Sequence, residues 1–309
     1  MVRFHRDEIY ILDGAMGTEI QNKKLDDNCF LYNGVFCDGL NDILCLTNPK
    51  IIESIHESYI KAGSTIIETN SFNANYISAR DYNMADSVID DINYGSARIA
   101  KNVASKYDGV LVAGVLGPTS KTLSMSPKVE DPSYRDVSYN DLFEAYRSAA
   151  KNLLKGGADL ILIETIFDTL NAKAAIEAVR SLPSGNEIPV MISGTIVDAS
   201  GRTLSGQTLE AFWNSVKHAE PVSVGLNCAL GAEQMDPYVK QLSEICDCPI
   251  SAHPNAGLPN ELGEYDQTPS EMAMFVQSWV KKGYVNIVGG CCGTTPAHIR
   301  RIAKAIKTL

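Results

Sequence analysis

The chain has 309 residues, enough to bury the core of one large domain or of two average ones. Its composition, 45% apolar and 21% charged residues, excludes the collagen-like, disordered and disulfide-scaffold classes. A net charge of −10 argues against nucleic acid or an anionic membrane surface as partners, whereas a small zwitterion remains compatible.

The N-terminal segment lacks the order of a secretory signal, because Asp7 and Glu8 precede any apolar run. No apolar stretch reaches the roughly 18 residues that a membrane-spanning helix needs. Eight cysteines are too few for a secreted disulfide framework in a chain of this length. We therefore expect a cytoplasmic protein whose unpaired thiols serve packing, metal binding or catalysis.

Eight short runs rich in Val and Ile recur along the chain, and each is followed by a segment of helical periodicity. Such near-continuous apolar runs are typical of strands buried on both faces of a parallel sheet. The runs are IYILDG from Ile9, STIIETN from Ser64, GVLVAGVLGP from Gly109, DLILIET from Asp159, IPVMISGT from Ile188, VSVGLNC from Val222, PISAHPN from Pro249 and VNIVGGCC from Val285. The alternation predicts a single-domain α/β fold, a (β/α)8 TIM barrel over residues 1–309, with a doubly wound open sheet as the alternative.

Several of the intervening helices have clear end signals. In TNPKIIESIHESYIKAG, Pro49 is a favourable first helical residue and Gly63 a stop. In TPSEMAMFVQSWVKKG, Thr268 is the predicted N-cap and Glu271 closes a capping box. The last helix begins in the same way after Thr295.

The longest segments without periodicity are residues 21–47, 118–137 and 197–206. Each follows an odd-numbered predicted strand, where a barrel carries its functional loops. The loop from Pro118 to Asp136 is the candidate lid, and a fixed structural loop is the alternative.

Polar residues stand where the predicted strands end, which is an unusual choice for packing alone. The carboxyl ends of barrel strands face the active site. These residues are Asp13, Glu68, Asn70, Glu164, Asn227, Cys228, Asn255, Cys291 and Cys292.

Three of these strand-end residues are cysteines. Cys228 ends the sixth strand and the pair Cys291 and Cys292 ends the eighth, so the three sulfurs are expected within roughly 10 Å of one another. Three thiolates with an open fourth position are typical of a catalytic zinc site. Glycines beside the pair would let two successive side chains reach the same ion. Buried apolar thiols or a vicinal disulfide are the alternatives.

The remaining cysteines and the histidines carry weaker signals. The spacing of the three cysteines in the first loop would allow a second metal site, but free thiols are the favoured interpretation there. For the two cysteines before the seventh strand, core packing is favoured over metal binding. His253, in AHPNAG, is read as a core or loop histidine, with contact to a ligand as the alternative. The cysteines concerned are Cys29, Cys37, Cys45, Cys246 and Cys248. The other histidines, read as structural or outside the ligand shell, are His5, His56, His218 and His298.

Seven motifs distributed over essentially the whole chain are specific enough to indicate a family. They are LDGAMGTEIQ, AGSTIIETNSFNA, LGPTSKTLSMSP, DLILIETIFDTLNAKAA, GLNCALG, SAHPNAGLPN and NIVGGCCGTTPAHI. With these motifs the chain resembles the homocysteine-binding barrel at the N-terminus of cobalamin-dependent methionine synthase, within the zinc homocysteine S-methyltransferases.

The resemblance implies a methyltransferase that binds L-homocysteine through zinc and converts it to methionine. It assigns the zinc to Cys228, Cys291 and Cys292, with the substrate sulfur as fourth ligand and Asn255 as the residue that matches the occupant before substrate arrives. The residues that the resemblance implies for the amino-acid end of the substrate are Asp13, Gly14, Gly17, Thr18, Glu19 and Glu164. Glu68, Asn70 and Asn227 are further expected contacts, although Glu68 could instead cap a loop and the two glycines could only form a turn.

One departure concerns the methyl donor. Full methionine synthases carry folate and cobalamin modules after this barrel, whereas this chain stops at Leu309 and has no Asp-x-His-x-x-Gly pattern. We therefore expect methylcobalamin to act in trans, on a cobalamin-binding domain or subunit, with a folate-binding one as a further partner. A betaine- or S-methylmethionine-dependent methyltransferase is the first alternative, and a non-catalytic zinc or redox-responsive protein is the second.

Overall fold

The computed structural model describes residues 2–37, 39–197 and 200–309. Eight strands within these ranges form one sheet of parallel neighbours in the order β1-β10-β9-β8-β7-β6-β5-β4. A bridge between Leu12 and Ile66 joins the two ends of this sheet and closes it into a barrel. The strands are β1 (Tyr10–Ile11), β2 (Leu31–Tyr32), β3 (Val35–Phe36), β4 (Ile66–Glu68), β5 (Leu111–Leu116), β6 (Leu160–Ile166), β7 (Val190–Gly194), β8 (Ser223–Gly231), β9 (Ile250–Asn255) and β10 (Ile287–Val288).

Helices follow the barrel strands and surround them, as the alternating sequence pattern predicts. They are α1 (Met16–Asn22), α2 (Leu44–Thr47), α3 (Pro49–Ala62), α4 (Tyr76–Ala79), α5 (Asp86–Ala104), α6 (Tyr139–Gly156), α7 (Thr169–Arg180), α8 (Leu209–Val216), α9 (Ala232–Ile245), α10 (Pro269–Lys281) and α11 (Pro296–Ile306). The predicted (β/α)8 barrel is confirmed, and the doubly wound open sheet is wrong because the two ends of the sheet, at β1 and β4, meet. No helix in the described ranges combines the length and the apolar character needed to cross a membrane.

The predicted helix ends are confirmed where the sequence signals were clear. Pro49 is the first residue of α3, and Gly63 ends that helix in the left-handed conformation with φ of 119°. Thr268 and Glu271 form the expected capping box of α10. These local signals suffice because a cap depends on residues that are neighbours in the sequence.

The barrel interior is apolar toward the amino ends of the strands and polar at their carboxyl ends. Along β6, Leu160, Leu162 and Glu164 occupy alternate positions, so all three side chains lie on the same face of the strand. The two leucines pack in the inner core with Leu12, Ile66 and other apolar side chains. The polar layer at the carboxyl ends of the strands therefore rests on a rigid apolar floor.

The predicted lid loop is held by hydrogen bonds within itself and to the start of α7. The Arg135 guanidinium donates hydrogen bonds to the carbonyl oxygens of Leu123 and Ser124 at 2.6 and 3.2 Å. The Ser124 hydroxyl donates to Asp168, the N-cap of α7, at 2.7 Å. These contacts favour the alternative of a fixed structural loop. The third long loop includes Asp198 and Ala199, which lie outside the described residues.

Candidate metal and substrate site

A cavity of about 840 Å³ opens at the carboxyl ends of the barrel strands. Its walls come from the segments after β1, β4, β6, β8, β9 and β10, which the barrel closure brings together. The predicted residues that line it are Asp13, Gly14, Gly17, Thr18, Glu68, Asn70, Glu164, Asn227, Cys228, Cys291 and Cys292. Glu19 and Asn255, also predicted, are not among the lining residues.

The three predicted cysteines converge at one side of the cavity. The sulfur atoms of Cys228, Cys291 and Cys292 all lie within 4.8 Å of one another, and those of Cys228 and Cys292 are 3.8 Å apart. Tetrahedral ligands about 2.3 Å from a zinc ion are about 3.8 Å apart, so this spacing fits one ion. Within the described ranges, no other group of three His, Cys, Asp or Glu side chains comes so close together.

The convergence depends on a break in β8. The inward-facing Asn227 is followed by Cys228 and Ala229, which both have positive φ, 61° and 57°. At this point the pairing between β8 and β9 also shifts register. A regular strand would point Asn227 and Cys228 to opposite faces, and the left-handed residues turn the thiol back toward the cavity.

The three thiols share their protons unequally. Hydrogen bonds from the thiols of Cys228 and Cys291 lower the pKa of Cys292. The same contacts, with burial, raise the pKa of Cys291 well above its ordinary value. One negative charge is thus stabilised within the cluster, which is the electrostatic condition for binding a soft cation.

Three carboxyl groups, those of Asp13, Glu68 and Glu164, also line the cavity. Asp13 accepts a hydrogen bond from the backbone N–H of Glu68 at 3.0 Å, while its Oδ1 atom is buried without a partner. Burial raises the pKa of both Asp13 and Glu68. Burial and the nearby Cys292 raise the pKa of Glu164 to about 8. Such a cluster favours a cationic ligand, because a positive charge would compensate the buried carboxylates.

Asn227 orients one of these carboxyl groups. Its amide nitrogen donates to Glu164 Oε2 at 3.2 Å and to the Thr165 hydroxyl at 2.8 Å. Its amide oxygen accepts from the Thr165 backbone N–H and from the Ser193 hydroxyl. All its hydrogen-bonding capacity is therefore used inside the protein. Asn70 acts similarly as a brace, donating to the Asn41 carbonyl at 2.9 Å.

The glycine turn after β1 forms another wall. A side chain at Gly14 would come within 2.8 Å of the Thr294 hydroxyl, so the backbone passes closer than other residues permit. The first turn of α1 has no side-chain cap, which leaves its backbone N–H groups available. Thr18 accepts a hydrogen bond from the Gly293 N–H at 3.0 Å and ties this turn to the cysteine loop. Glu19 instead accepts from Asn22.

Tyr265 is a site residue that was not predicted from the sequence. This residue lies in the loop between β9 and α10, lines the cavity, and its hydroxyl donates a hydrogen bond to Cys292. Burial and Cys292 raise the pKa of the Tyr265 phenol to about 12. Asn255, the last residue of β9, is buried and its Oδ1 lacks a partner. The available signal was the position of Tyr265 in the loop after the strand that separates the two thiol-bearing strands.

Comparisons with known proteins agree with this architecture. A family model described as homocysteine S-methyltransferase matches residues 10–306. Among solved structures, the oxidized form of the homocysteine methyltransferase MmuM from Escherichia coli superposes with a TM-score of 0.77 at 22% identity, covering 97% of this chain and 95% of that one. Its metallated form has the same TM-score and identity and covers 96% of each chain. At this identity the structural likeness shows a common fold.

Proposed function

Because the chain belongs to the homocysteine S-methyltransferase family, and is thus a methyltransferase, we propose that it methylates L-homocysteine to methionine with zinc bound by Cys228, Cys291 and Cys292. The observation that supports this proposal most directly is the convergence of these three sulfurs beside an open cavity. The proposal takes the described barrel as one homocysteine-binding domain over residues 1–309.

The chemistry requires a deprotonated sulfur, because the thiolate is the nucleophile and a free thiol is mostly protonated at pH 7. Zinc, when bound, keeps the substrate sulfur deprotonated and in place. The three cysteines contribute the negative charge that keeps the site electron-rich. The chain's remaining task is to hold the amino-acid end of the substrate so that the sulfur faces the mouth of the cavity.

The carboxyl cluster is the proposed site for the substrate ammonium group. Asp13 offers the unpartnered Oδ1 atom, and Glu164 is held in place by Asn227. Glu68 adds a third buried carboxyl group to the same wall. An ammonium ion bound among them would lower their raised pKa values and favour their ionised forms.

The glycine turn is the proposed site for the substrate carboxylate. Gly14, Gly17 and Thr18 line the cavity beside the uncapped first turn of α1. Backbone N–H groups in such a turn form a favourable environment for an anion. Glu19, which the family resemblance includes, would act only indirectly, since it does not line the cavity and its side chain accepts a hydrogen bond from Asn22, which does.

Two residues are proposed for the fourth position beside the sulfurs before substrate arrives. Asn255 matches the family motif and has an amide oxygen without a partner. Tyr265 already contacts Cys292 through its hydroxyl group. Each could yield its place to the incoming substrate sulfur.

The proposed methyl donor is methylcobalamin bound to another domain or subunit, with a folate-binding domain or subunit as the further partner. Exposed apolar side chains at the cavity end of the barrel support a donor carried on a protein, because exposed apolar surface is typical of interaction sites. Most exposed large apolar side chains lie in segments that follow barrel strands at the cavity end, namely Leu31, Val35, Phe36, Phe72, Val129, Val197, Leu204, Leu258 and Leu262.

Zinc content of cysteine variants tests the proposal. We expect about one zinc per chain, lost in Cys291→Ser and Cys292→Ser, because a neutral hydroxyl is a poor substitute for a thiolate ligand. Cys246→Ser is the matched control, since Cys246 is buried away from the cluster. Zinc retained at full occupancy in the first two variants would refute the ligand assignment.

A further inference from the structure

The cavity presents an electrostatic problem for an amino-acid substrate. Within the described part of the chain, its lining contains no Lys or Arg, but it contains the carboxyl groups of Asp13, Asp42, Glu68, Glu164 and Glu264. A substrate carboxylate placed here meets repulsion on several sides. It therefore needs neutral hydrogen-bond donors that the protein has not already used.

Most buried polar side chains of the lining have partners. Asn227 uses both its amide nitrogen and its oxygen within the protein, and Asn70 donates to Asn41. The two ring nitrogens of His298 contact Thr295 and the Gln267 carbonyl. None of these side chains has a free donor to offer without breaking an existing contact.

His253 differs from all of them. It lines the cavity with 1% of its surface exposed, and neither ring nitrogen has a hydrogen-bond partner. Leaving such a group unpaired in a protein interior costs free energy. We therefore expect a bound ligand to supply the hydrogen-bond partner of His253. A neutral imidazole carries one N–H donor and one acceptor nitrogen.

The position of His253 fits contact with a bound amino acid. On β9 it pairs in register with Asn227, whose side chain faces the cavity. Its neighbours Ala252 and Pro254 accept backbone hydrogen bonds from Gly289 and Cys291. His253 thus lies between the two thiol-bearing segments, on a strand that pairs with neither β4 nor β6, which carry Glu68 and Glu164.

We propose that His253 donates a hydrogen bond to the α-carboxylate of the substrate and thereby selects α-amino acids over simple aminothiols. This role rests on the proposed function, since it assumes that homocysteine is the thiol bound. It complements the backbone N–H groups after β1, and together they hold an anion without a cationic side chain.

Calorimetric titration of the zinc-loaded protein with two thiols tests the role. The thiols are L-homocysteine and 3-aminopropane-1-thiol, which lacks only the carboxylate. In His253→Phe we expect homocysteine affinity to fall about 10-fold or more, the typical effect of losing a hydrogen bond to a charged group. Affinity for the aminothiol and zinc content are expected to stay unchanged. His253→Gln, which retains an N–H donor, is expected to recover part of the loss.

His56→Phe is the matched control. His56 is also fully buried with both ring nitrogens unpartnered, but it lies on α3 outside the cavity lining. We expect unchanged affinity for both thiols in this variant. Equal weakening of both thiols by His253→Phe, or no weakening of either, would overturn the role of His253 while leaving the proposed function intact. Wild-type protein that binds zinc but not homocysteine would overturn both.

Discussion

Two buried histidines show how the same residue type can have different roles. His253 lines the cavity, whereas His56 is enclosed between α3 and its neighbours, and neither ring has a hydrogen-bond partner. Burial lowers the pKa of His56 to about 4 and that of His253 to about 3. Both rings are therefore neutral at pH 7, and protonation of either is linked to unfolding.

His56 makes the fold sensitive to acid, which His56→Phe would relieve. Between pH 6.5 and about 4 the unfolded chain binds a proton at this residue and the folded chain does not. Stability therefore falls as the pH falls through this window, by about 3 kcal/mol for a shift of this size. Urea unfolding of both proteins at pH 7 and pH 4 should show the variant gaining that amount relative to wild type. A pH-independent difference would contradict the assignment.

At the scale of elements, the ring of helices closes where α3 meets α11. Gly63, at the end of α3, has φ of 119°, and a side chain there would lie 2.8 Å from the Ala303 side chain of α11. Gly109 also has positive φ, 74°, but a side chain there would meet open space. A side chain at Gly109 would therefore introduce backbone strain alone, whereas one at Gly63 would introduce both strain and a steric contact.

Gly63→Ala is predicted to destabilise the protein more than Gly109→Ala. The control should lose about 1 kcal/mol through left-handed backbone strain alone. Gly63→Ala adds displacement of α11 against α3, an overpacking cost of about 1 kcal/mol or more. Denaturant unfolding of the two variants measures both effects. Equal losses would show that the α3–α11 contact is not tightly packed.

Most elements could be predicted from the sequence, because strand runs and helix caps are local signals. The β2–β3 hairpin was missed, although its turn residues Asn33 and Gly34, with φ of 50° and 83°, are a recognisable hairpin signal. Its strands of two residues each are too short for periodicity to detect.

The site could be predicted only in part. The strand-end rule found the three cysteines and the carboxyl cluster, because parallel strands end at the same edge of the barrel. It could not show that the Asn227 amide nitrogen already donates its hydrogen bonds to Glu164 and Thr165. Nor could it show that Tyr265 contacts Cys292 from a loop. Those facts depend on contacts between residues far apart in the sequence.

At the scale of the whole molecule, the barrel sets the direction from which a methyl group can reach the cavity. The three cysteines line the cavity of about 840 Å³, which opens at the end of the barrel where the strands terminate. A donor bound to another protein would approach from this side.

A comparison of donors tests the proposed partner. We expect methionine from homocysteine with methylcobalamin, and little or none with betaine or S-methylmethionine, when the three are compared at equal concentration. Cys228→Ser is the control for reaction outside the site, because it removes one of the three converging sulfurs. Turnover with betaine or S-methylmethionine but not with methylcobalamin would reverse the donor assignment.

The most direct test of the central claim is X-ray absorption at the zinc edge with and without L-homocysteine. The three converging cysteines predict three sulfur ligands and one oxygen or nitrogen before substrate is added. With homocysteine the predicted shell is four sulfurs, because the substrate thiolate takes the remaining position. A shell that stays the same after saturation with homocysteine would contradict the account.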